Sequence, residues 1–336
     1  MPAKHKIALI GYFAADIRAE IAQRVPPGFD FEAVNDESKE ELLRVIKDAD
    51  FFIGFGEHKI DAAVIRSAPR LKFIQKWGIG VDKYDLGALR DAGIPIAITA
   101  GVNSVAVAEL TLSLMLAACR RLVLLDKSTR AGKFLKTELR MSSYELHQKT
   151  IGIIGLGNIG KRVAKRVAAF EPKEVLYHDI VRQEQAERDL GVKPVSRDEL
   201  LQAADIITLH VPLDDTTRHM IGAREFGMMK KTAILINACR GGVVDESALF
   251  AALGEGRILG AGIDVFEKEP TTAGNPLFAL DNIVVTPHAA GATYENVCNV
   301  AQHCFDNIVL FAEGKPLPAA DVIVPRRTEA QRATSR

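Results

Sequence analysis

The stretch Lys149-Thr-Ile-Gly-Ile-Ile-Gly-Leu-Gly-Asn-Ile-Gly160 constrains this chain more than any other. Ile151 to Ile154 reads as a buried parallel strand, because a strand covered on both faces is continuously apolar. It runs into Gly155-Leu-Gly157-Asn158-Ile159-Gly160, a G-x-G-x-x-G, and a helical pattern from Lys161 to Ala169 comes directly after it. Each glycine has its own physical task in a dinucleotide-binding turn. Gly155 allows the tight strand-to-helix turn, Gly157 lets a pyrophosphate approach the backbone, and Gly160 lets the helix pack close to the strand. The N–H groups at the helix start favour phosphate charge. A second strand, Glu174 to His178, ends at Asp179, where an acidic residue about 20 residues past the glycines grips a ribose hydroxyl. The bland alternative is an ordinary glycine turn in an α/β domain.

A length of 336 residues suggests two domains, and 48% hydrophobic residues suffice for sizeable cores. The 43 basic and 43 acidic residues balance, without a long like-charge block, so neither nucleic acid nor an anionic membrane is an expected partner. No apolar run is long enough to span a bilayer. The N-terminus enters the strand Ile7 to Ile10 without the apolar core of a signal peptide. Cys119, Cys239, Cys298 and Cys304 lack a C-x-x-C spacing and suit a reducing compartment; the expectation is a cytoplasmic protein with no metal site.

Strand and helix signals alternate through the first hundred residues: strands at Ile7–Ile10, Phe29–Ala33, Phe51–Ile53, Phe73–Gln75 and Ile96–Ile98, helices at Ala15–Arg24 and Ser38–Lys47. From Ser104 a long helix is apolar or small on nearly every face, which demands burial or a subunit interface. Further strands are expected at Ile206–Leu209, Ala233–Ile236, Gly260–Ile263 and Ile283–Val285, and a helix at Tyr294–Glu313. The nucleotide unit thus begins in mid-chain. The expected architecture is α/β, with two Rossmann-like doubly wound domains. A discontinuous substrate domain of residues 1–103 plus 292–325 surrounds an inserted NAD domain, 104–291, and a polar tail, 326–336, closes the chain.

Three successive strands of the second half deliver chemistry beyond their carboxyl ends, where such sheets bind ligands. Arg240 lies past the first, Asp264 and Glu269 past the second, and His288 past the third. Taken singly, these residues read as a surface ion pair, a solvated loop carboxylate and a satisfied turn histidine. Together they form a working set. A guanidinium holds a carboxylate in a planar fork. A histidine passes a proton near neutral pH, and a carboxylate beside it orients the ring and favours its charged form.

With these residues the chain resembles the D-isomer-specific 2-hydroxyacid dehydrogenases, which use NAD or NADP. The resemblance runs roughly from Ala49 to Ala312. It rests on Lys76-Trp-Gly-Ile-Gly-Val-Asp82, Asn103-Ser-Val-Ala-Val-Ala-Glu109, the Gly155–Gly160 turn, His210-Val-Pro212, Asn237-Ala-Cys-Arg-Gly-Gly-Val-Val-Asp-Glu246, Gly262-Ile-Asp-Val-Phe-Glu-Lys-Glu-Pro270 and Thr286-Pro-His288. The resemblance implies that Arg240 binds the substrate carboxylate, that His288 donates the proton in reduction, and that Glu269 is its partner. It implies a nicotinamide contact for Asp264, and carboxylate binding by backbone N–H groups of Gly78, Ile79 and Gly80, with Asn103 where the chain enters the cleft. His210 and Pro212, with Asn158, Ile159, Ala238 and Gly291, are the implied further cofactor contacts; His210 and Pro212 also read as plain strand-end residues. A glutamate beside the histidine argues against formate oxidation, which needs no proton acceptor.

The expected substrate is a short, unphosphorylated 2-oxo or 2-hydroxy acid such as glyoxylate or hydroxypyruvate. Phosphoglycerate dehydrogenases of the family usually carry an arginine in the loop after the third strand, where this chain has Gly54-Phe-Gly-Glu-His58, with Phe55 as an apolar wall and Glu57 adding repulsion. Lys76 and Lys83 are the contrary sign, and no appended regulatory domain is expected. NAD is expected over NADP, because Asp179 repels a 2′-phosphate; Arg182, three residues on, speaks for the phosphate. A homodimer joined through a Ser104–Leu122 helix is expected. A nucleotide-sensing, corepressor-like interaction protein is the alternative outside enzymes.

Overall fold

The structure, a computed structural model, describes residues 5–56 and 58–326. Glu57 and nearly all of the expected polar tail lie outside the described residues. Among the described residues thirteen strands follow in chain order. The first five are β1 (His5–Ile10), β2 (Phe29–Ala33), β3 (Phe51–Gly54), β4 (Phe73–Lys76) and β5 (Ile96–Ala97). Next come β6 (Thr150–Ile154), β7 (Glu174–His178), β8 (Lys193–Pro194), β9 (Ile206–Leu209), β10 (Ile234–Asn237), β11 (Gly260–Ile263) and β12 (Ile283–Val285), and β13 (Val322–Val324) closes the series. The chain divides into two compact units. One joins the residues up to Asn103 to those from Ala292 onward, and the other is Ser104–Gly291.

The inserted unit is a seven-stranded sheet in the order β12-β11-β10-β9-β6-β7-β8, parallel throughout. Neighbouring residues of a strand point to opposite faces, and here both faces are covered. Ile207, Leu209, Leu235 and Ile263 enter one core, while Ile151, Ile153, Ile206, Ile234 and Ile236 enter the other. That double burial accounts for the apolar runs read in the sequence. The sequence expected six strands here. The seventh, β8, is two exposed residues, one of them Pro194, and has no apolar signature.

The other unit is a six-stranded sheet in the order β13-β5-β4-β3-β1-β2. Its cores alternate in the same way: Ala8, Ile10, Phe52 and Ile74 face one side, and Ile7, Leu9, Phe51, Ile53 and Phe73 the other. The helix Tyr294–Ala312 packs its Val300, Ala301, Cys304, Phe305 and Ile308 on the second face. The chain then adds β13 antiparallel against β5.

The long helix differs from expectation. It ends at Cys119; Arg121 adopts a left-handed φ of 53°, and a new helix runs Leu122–Arg130. Left-handed backbone at a residue with a Cβ breaks the helical ladder. Ser104–Cys119 buries Ala108, Leu114, Met115 and Cys119 in the core of its own unit. Gly262 admits it, since a Cβ there would stand 3.0 Å from Leu114 Cβ. Its apolar character is therefore accounted for inside the chain. Four of the large exposed apolar side chains, Leu122, Val123, Phe134 and Met141, follow it in the chain, and Val105 is exposed on the helix itself. Among the described residues no helix is long and apolar enough to cross a membrane.

Candidate active site

In Ser104–Gly291 the strands run outward in both directions from the β6/β9 pair, the topological switch point at which such sheets bind nucleotides. The glycine turn lies there. Gly155 has φ +92°, and a Cβ on it would collide with the His210 carbonyl oxygen at the end of β9. A Cβ on Gly160 would collide with the Gly155 carbonyl oxygen. The fold itself thus requires both. Gly157 is different: it caps the helix with φ −76°, and a Cβ would meet nothing within 4 Å. The glycine leaves open space in front of a helix N-terminus, the room a pyrophosphate would need. The helix starts at Asn158, earlier than the sequence pattern indicated, so it opens inside the motif.

Asp179 accepts the Leu156 N–H at 2.7 Å and the Val181 N–H at 3.1 Å. It therefore ties the glycine turn to β7 as well as standing where a ribose is expected. Arg182 is engaged elsewhere, its Nε and Nη2 each 3.0 Å from the Glu187 carboxylate, which also accepts the Tyr177 hydroxyl. Burial pushes His210 down to about 3, so its ring is neutral. Its Nε2 lies 2.9 Å from Thr208 Oγ1, and its buried Nδ1 has no partner. Ile159 and Ala238 share a small apolar cluster with Val107 and Ala290. Pro212 is exposed, and Gly291 closes the unit. An open glycine cradle, an orphaned ring nitrogen and a carboxylate at the ribose position fit a dinucleotide.

The three strand-end residues stand on rigid supports. His288 Nδ1 is 2.7 Å from Glu269 Oε2, and Glu269 Oε1 accepts the Phe266 N–H at 2.9 Å. Burial raises the Glu269 carboxyl, but the His288 and Phe266 bonds and the Arg240 charge outweigh it and leave it below the ordinary carboxylate range. His288 has a left-handed φ of 53°, a cost that persists only where surroundings enforce it. Asp264 enforces it. Fully buried, it accepts Thr286 Oγ1 at 2.5 Å and the Ala289 N–H at 2.8 Å on one oxygen, and the Ala290 N–H at 2.9 Å on the other. Its carbonyl accepts the His288 N–H at 2.6 Å. Asn237, to which the sequence reading gave no role, braces the extended backbone at Arg240. Its Nδ2 donates to the Arg240 carbonyl at 3.0 Å, and its Oδ1 accepts the Cys239 N–H at 3.1 Å. Buried amides and hydroxyls next to catalytic motifs are the signal that points to such supports.

In the other unit Gly78 has φ +98° just past β4. Its N–H donates to Thr99 Oγ1 at 3.0 Å, and its carbonyl accepts the Thr99 N–H at 3.1 Å. That bond removes the Gly78 amide from the expected set of donors and leaves those of Ile79 and Gly80. Phe55 stacks on Phe13, centroids 4.3 Å apart, and Trp77 meets both rings. Phe55 is 36% exposed, so one side of this aromatic group is open. Asn103 is half-buried at the end of the turn before Ser104.

Comparison with known proteins agrees with this geometry. Residues 112–290 match the family model of the D-isomer specific 2-hydroxyacid dehydrogenase NAD binding domain. A glyoxylate reductase of Korarchaeum cryptofilum is 38% identical over 300 residues, 88% of this chain and 90% of the relative. A D-3-phosphoglycerate dehydrogenase of Archaeoglobus fulgidus is 41% identical over 290 residues, 86% of this chain but 54% of the relative, so the chain spans about half of that protein. The crystal structure of TT0316 from Thermus thermophilus superposes with a TM-score of 0.84 at 35% identity, over 95% of this chain and 100% of that one. With the glycine cradle, the paired Glu269 and His288 and these relatives in agreement, the chain belongs to the D-isomer specific 2-hydroxyacid dehydrogenases, enzymes that use NAD.

Proposed function

We propose that this chain is a cytoplasmic, homodimeric NADH-dependent reductase of short, unphosphorylated 2-oxo acids of the glyoxylate and hydroxypyruvate type. The observation that carries the reading is the Glu269–His288 pair at 2.7 Å, with the Arg240 charge acting on the same carboxylate. Nδ1 is committed to Glu269, so His288 presents Nε2 to the substrate. In reduction it delivers that proton to the carbonyl oxygen, and in oxidation it takes the hydroxyl proton back. Glu269 stabilises the charged ring and fixes its orientation. Arg240 holds the substrate carboxylate as a planar fork, and the Ile79 and Gly80 amides offer further donors. The nicotinamide, when bound, supplies the hydride. Gly157, Asn158 and the helix start would hold its pyrophosphate, Asp179 its ribose, and His210, Pro212, Ala238, Asp264 and Gly291 would line the remainder.

Two features sharpen the cofactor and substrate. Arg182 is paired with Glu187, which supports NAD over NADP, since a 2′-phosphate would meet Asp179 without a free guanidinium. The aromatic group of Phe13, Phe55 and Trp77 offers a neutral or apolar substrate end a surface and gives a phosphate no charge-assisted donor. Glyoxylate reductases among the relatives support this choice, while the phosphoglycerate dehydrogenases keep the phosphorylated acid as the second reading.

The exposed Leu122, Val123, Phe134 and Met141 support a dimer through the segment just after the Ser104–Cys119 helix. Light scattering at micromolar concentration should give twice the chain mass; a monomer would remove the dimer from the proposal.

Steady-state kinetics with glyoxylate, hydroxypyruvate, pyruvate and 3-phosphohydroxypyruvate, each with NADH and NADPH, test the rest. The expected optimum is an unphosphorylated acid with NADH. A higher kcat/KM for the phosphorylated acid would overturn the substrate, a higher one with NADPH the cofactor preference, and no turnover at all would favour a nucleotide-sensing interaction protein.

A further inference from the structure

The Gly78–Gly80 loop is held from a distance. Gly78 exchanges two hydrogen bonds with Thr99, which is fully buried. Thr99 in turn lies just past β5, a strand of two residues, too short to fix the backbone beyond it. Asp321, some 220 residues later, grips both of its neighbours. The Asp321 carbonyl accepts the Ile98 N–H at 2.8 Å, and its carboxylate Oδ1 accepts the Ala100 N–H at 2.9 Å. The second carboxylate oxygen lies 2.6 Å from His303 Nε2 and accepts Asn307 Nδ2 at 2.9 Å. Asn307 Nδ2 also reaches Gln75 Oε1 at 3.0 Å, and Gln75 Nε2 donates to the Lys76 carbonyl at 3.2 Å. Lys76 is two residues before Gly78. The path has returned to its start, as a closed circuit around the stem of the glycine loop.

Every side chain that closes this circuit is buried: Gln75 and Thr99 are 0% exposed, Asn307 and Asp321 1%. An apolar core could fill the same volume without the desolvation cost of a carboxylate and two amides. A fully satisfied polar network supplies what apolar packing does not, a single backbone geometry. Here the backbone so fixed is the stretch in which Gly78 is tied down, immediately before the Ile79 and Gly80 amides. We propose that the circuit presets these two amides for the substrate carboxylate, which makes Thr99 and Asp321 positioning residues for 2-oxo acid binding. The proposal rests on the reading that the Ile79 and Gly80 amides meet that carboxylate. It also gives a purpose to the return of the chain end to this unit: β13 pairs with β5 and carries Asp321 to the loop stem.

The test uses Thr99→Val, which keeps shape but leaves the Gly78 N–H without its acceptor, Thr99→Ser, which keeps the hydroxyl, and Asp321→Asn. KM and kcat for hydroxypyruvate, NADH affinity by fluorescence titration and melting temperature are measured on each full-length protein. Thr99→Val should raise KM on the order of tenfold, the loss of one buried hydrogen bond, with kcat and NADH affinity within about twofold. Thr99→Ser should restore KM, and Asp321→Asn should behave like Thr99→Val. Should Asp321→Asn not fold, the two Thr99 variants carry the test. A lowered melting temperature in Thr99→Val with KM unchanged would make the circuit merely structural and overturn the proposal. Should the wild type bind NADH yet reduce no 2-oxo acid, the functional reading fails instead. Hydrogen exchange then decides the circuit alone, and unchanged protection of the Thr99 and Ala100 amides, which the circuit bonds, in Thr99→Val would overturn it.

Discussion

The two units share one device at their switch points and use it differently. In each sheet the chain leaves a central strand in both directions, from β6/β9 in one and β1/β3 in the other. In each, a glycine with positive φ ends the first strand, and a Cβ on it would collide with a carbonyl oxygen beyond the second: Gly155 with His210, Gly11 with Phe55. After Gly155 the motif continues with an open Gly157 and a helix N-terminus. After Gly11 it continues with Tyr12 and Phe13, and Phe13 stacks on Phe55. One switch point thus carries an open glycine and a helix N-terminus, and the other carries rings. The lesson is that topology makes the crevice, while a few residues past the glycine decide its ligand. On the function proposed above, the first of these, Ser104–Gly291, carries the side chain that transfers the proton, and the second carries amides and apolar surface.

The sharpest way to break that division is His288→Gln. General acid catalysis contributes about 10²–10⁴-fold, so kcat should fall by that much while NADH affinity, measured by fluorescence titration, stays near wild type. Retained turnover would mean that the proton comes from elsewhere, and the division between units would go with it.

A smaller effect separates the glycines. Gly157→Ala should leave melting within a few degrees of wild type and weaken NADH binding roughly tenfold, because its Cβ enters open space that a pyrophosphate needs. Gly155→Ala should lose stability instead, by about 1–3 kcal/mol, since strain and a backbone collision accompany the new methyl. Equal loss of stability in both would show that Gly157 serves the fold, and the contrast with Gly11 would lose its basis.

The smallest expected effect is a pH dependence confined to the first unit. The Glu269 carboxyl lies below its ordinary value in the folded protein. Its contribution to stability is therefore present above the ordinary carboxylate pKa and is lost as pH falls through the folded value. The melting-temperature gap between wild type and Glu269→Gln should be widest near neutrality and close under acid. A gap independent of pH would show that Glu269 does not pair with His288 in solution.

Much of this was legible in the chain. The glycine turn, its strand, its helix and Asp179 lie within about 30 residues, so local geometry and apolar period suffice to read them. Arg240, Glu269 and His288 were legible as strand-end residues because the βα alternation fixes which end of each strand faces a ligand. Other features were not. Nothing in Arg121 announces a left-handed residue, so the sequence pattern runs the helix through to Leu122. Arg182 reads as a candidate phosphate ligand until its fork with Glu187 is in view. The expectation that Gly78 offers its amide fails to foresee Thr99, since the hydroxyl that takes it lies 21 residues away.

The sequence by itself determined the class of fold, the insertion of one doubly wound unit into another, and the places of Arg240, Glu269 and His288 past the ends of strands. These depend on short-range signals: period, glycine, and position past a strand. Tertiary structure alone decided which polar groups are spent on support and which stay free for a ligand. Asp264 holds the His288 loop, Asn237 is spent on Arg240, and Asp321 on the neighbours of Thr99. A buried donor or acceptor must find a partner, and where that partner lies along the chain is set by packing, which brings residues 78, 99, 307 and 321 into one circuit that no local pattern encodes.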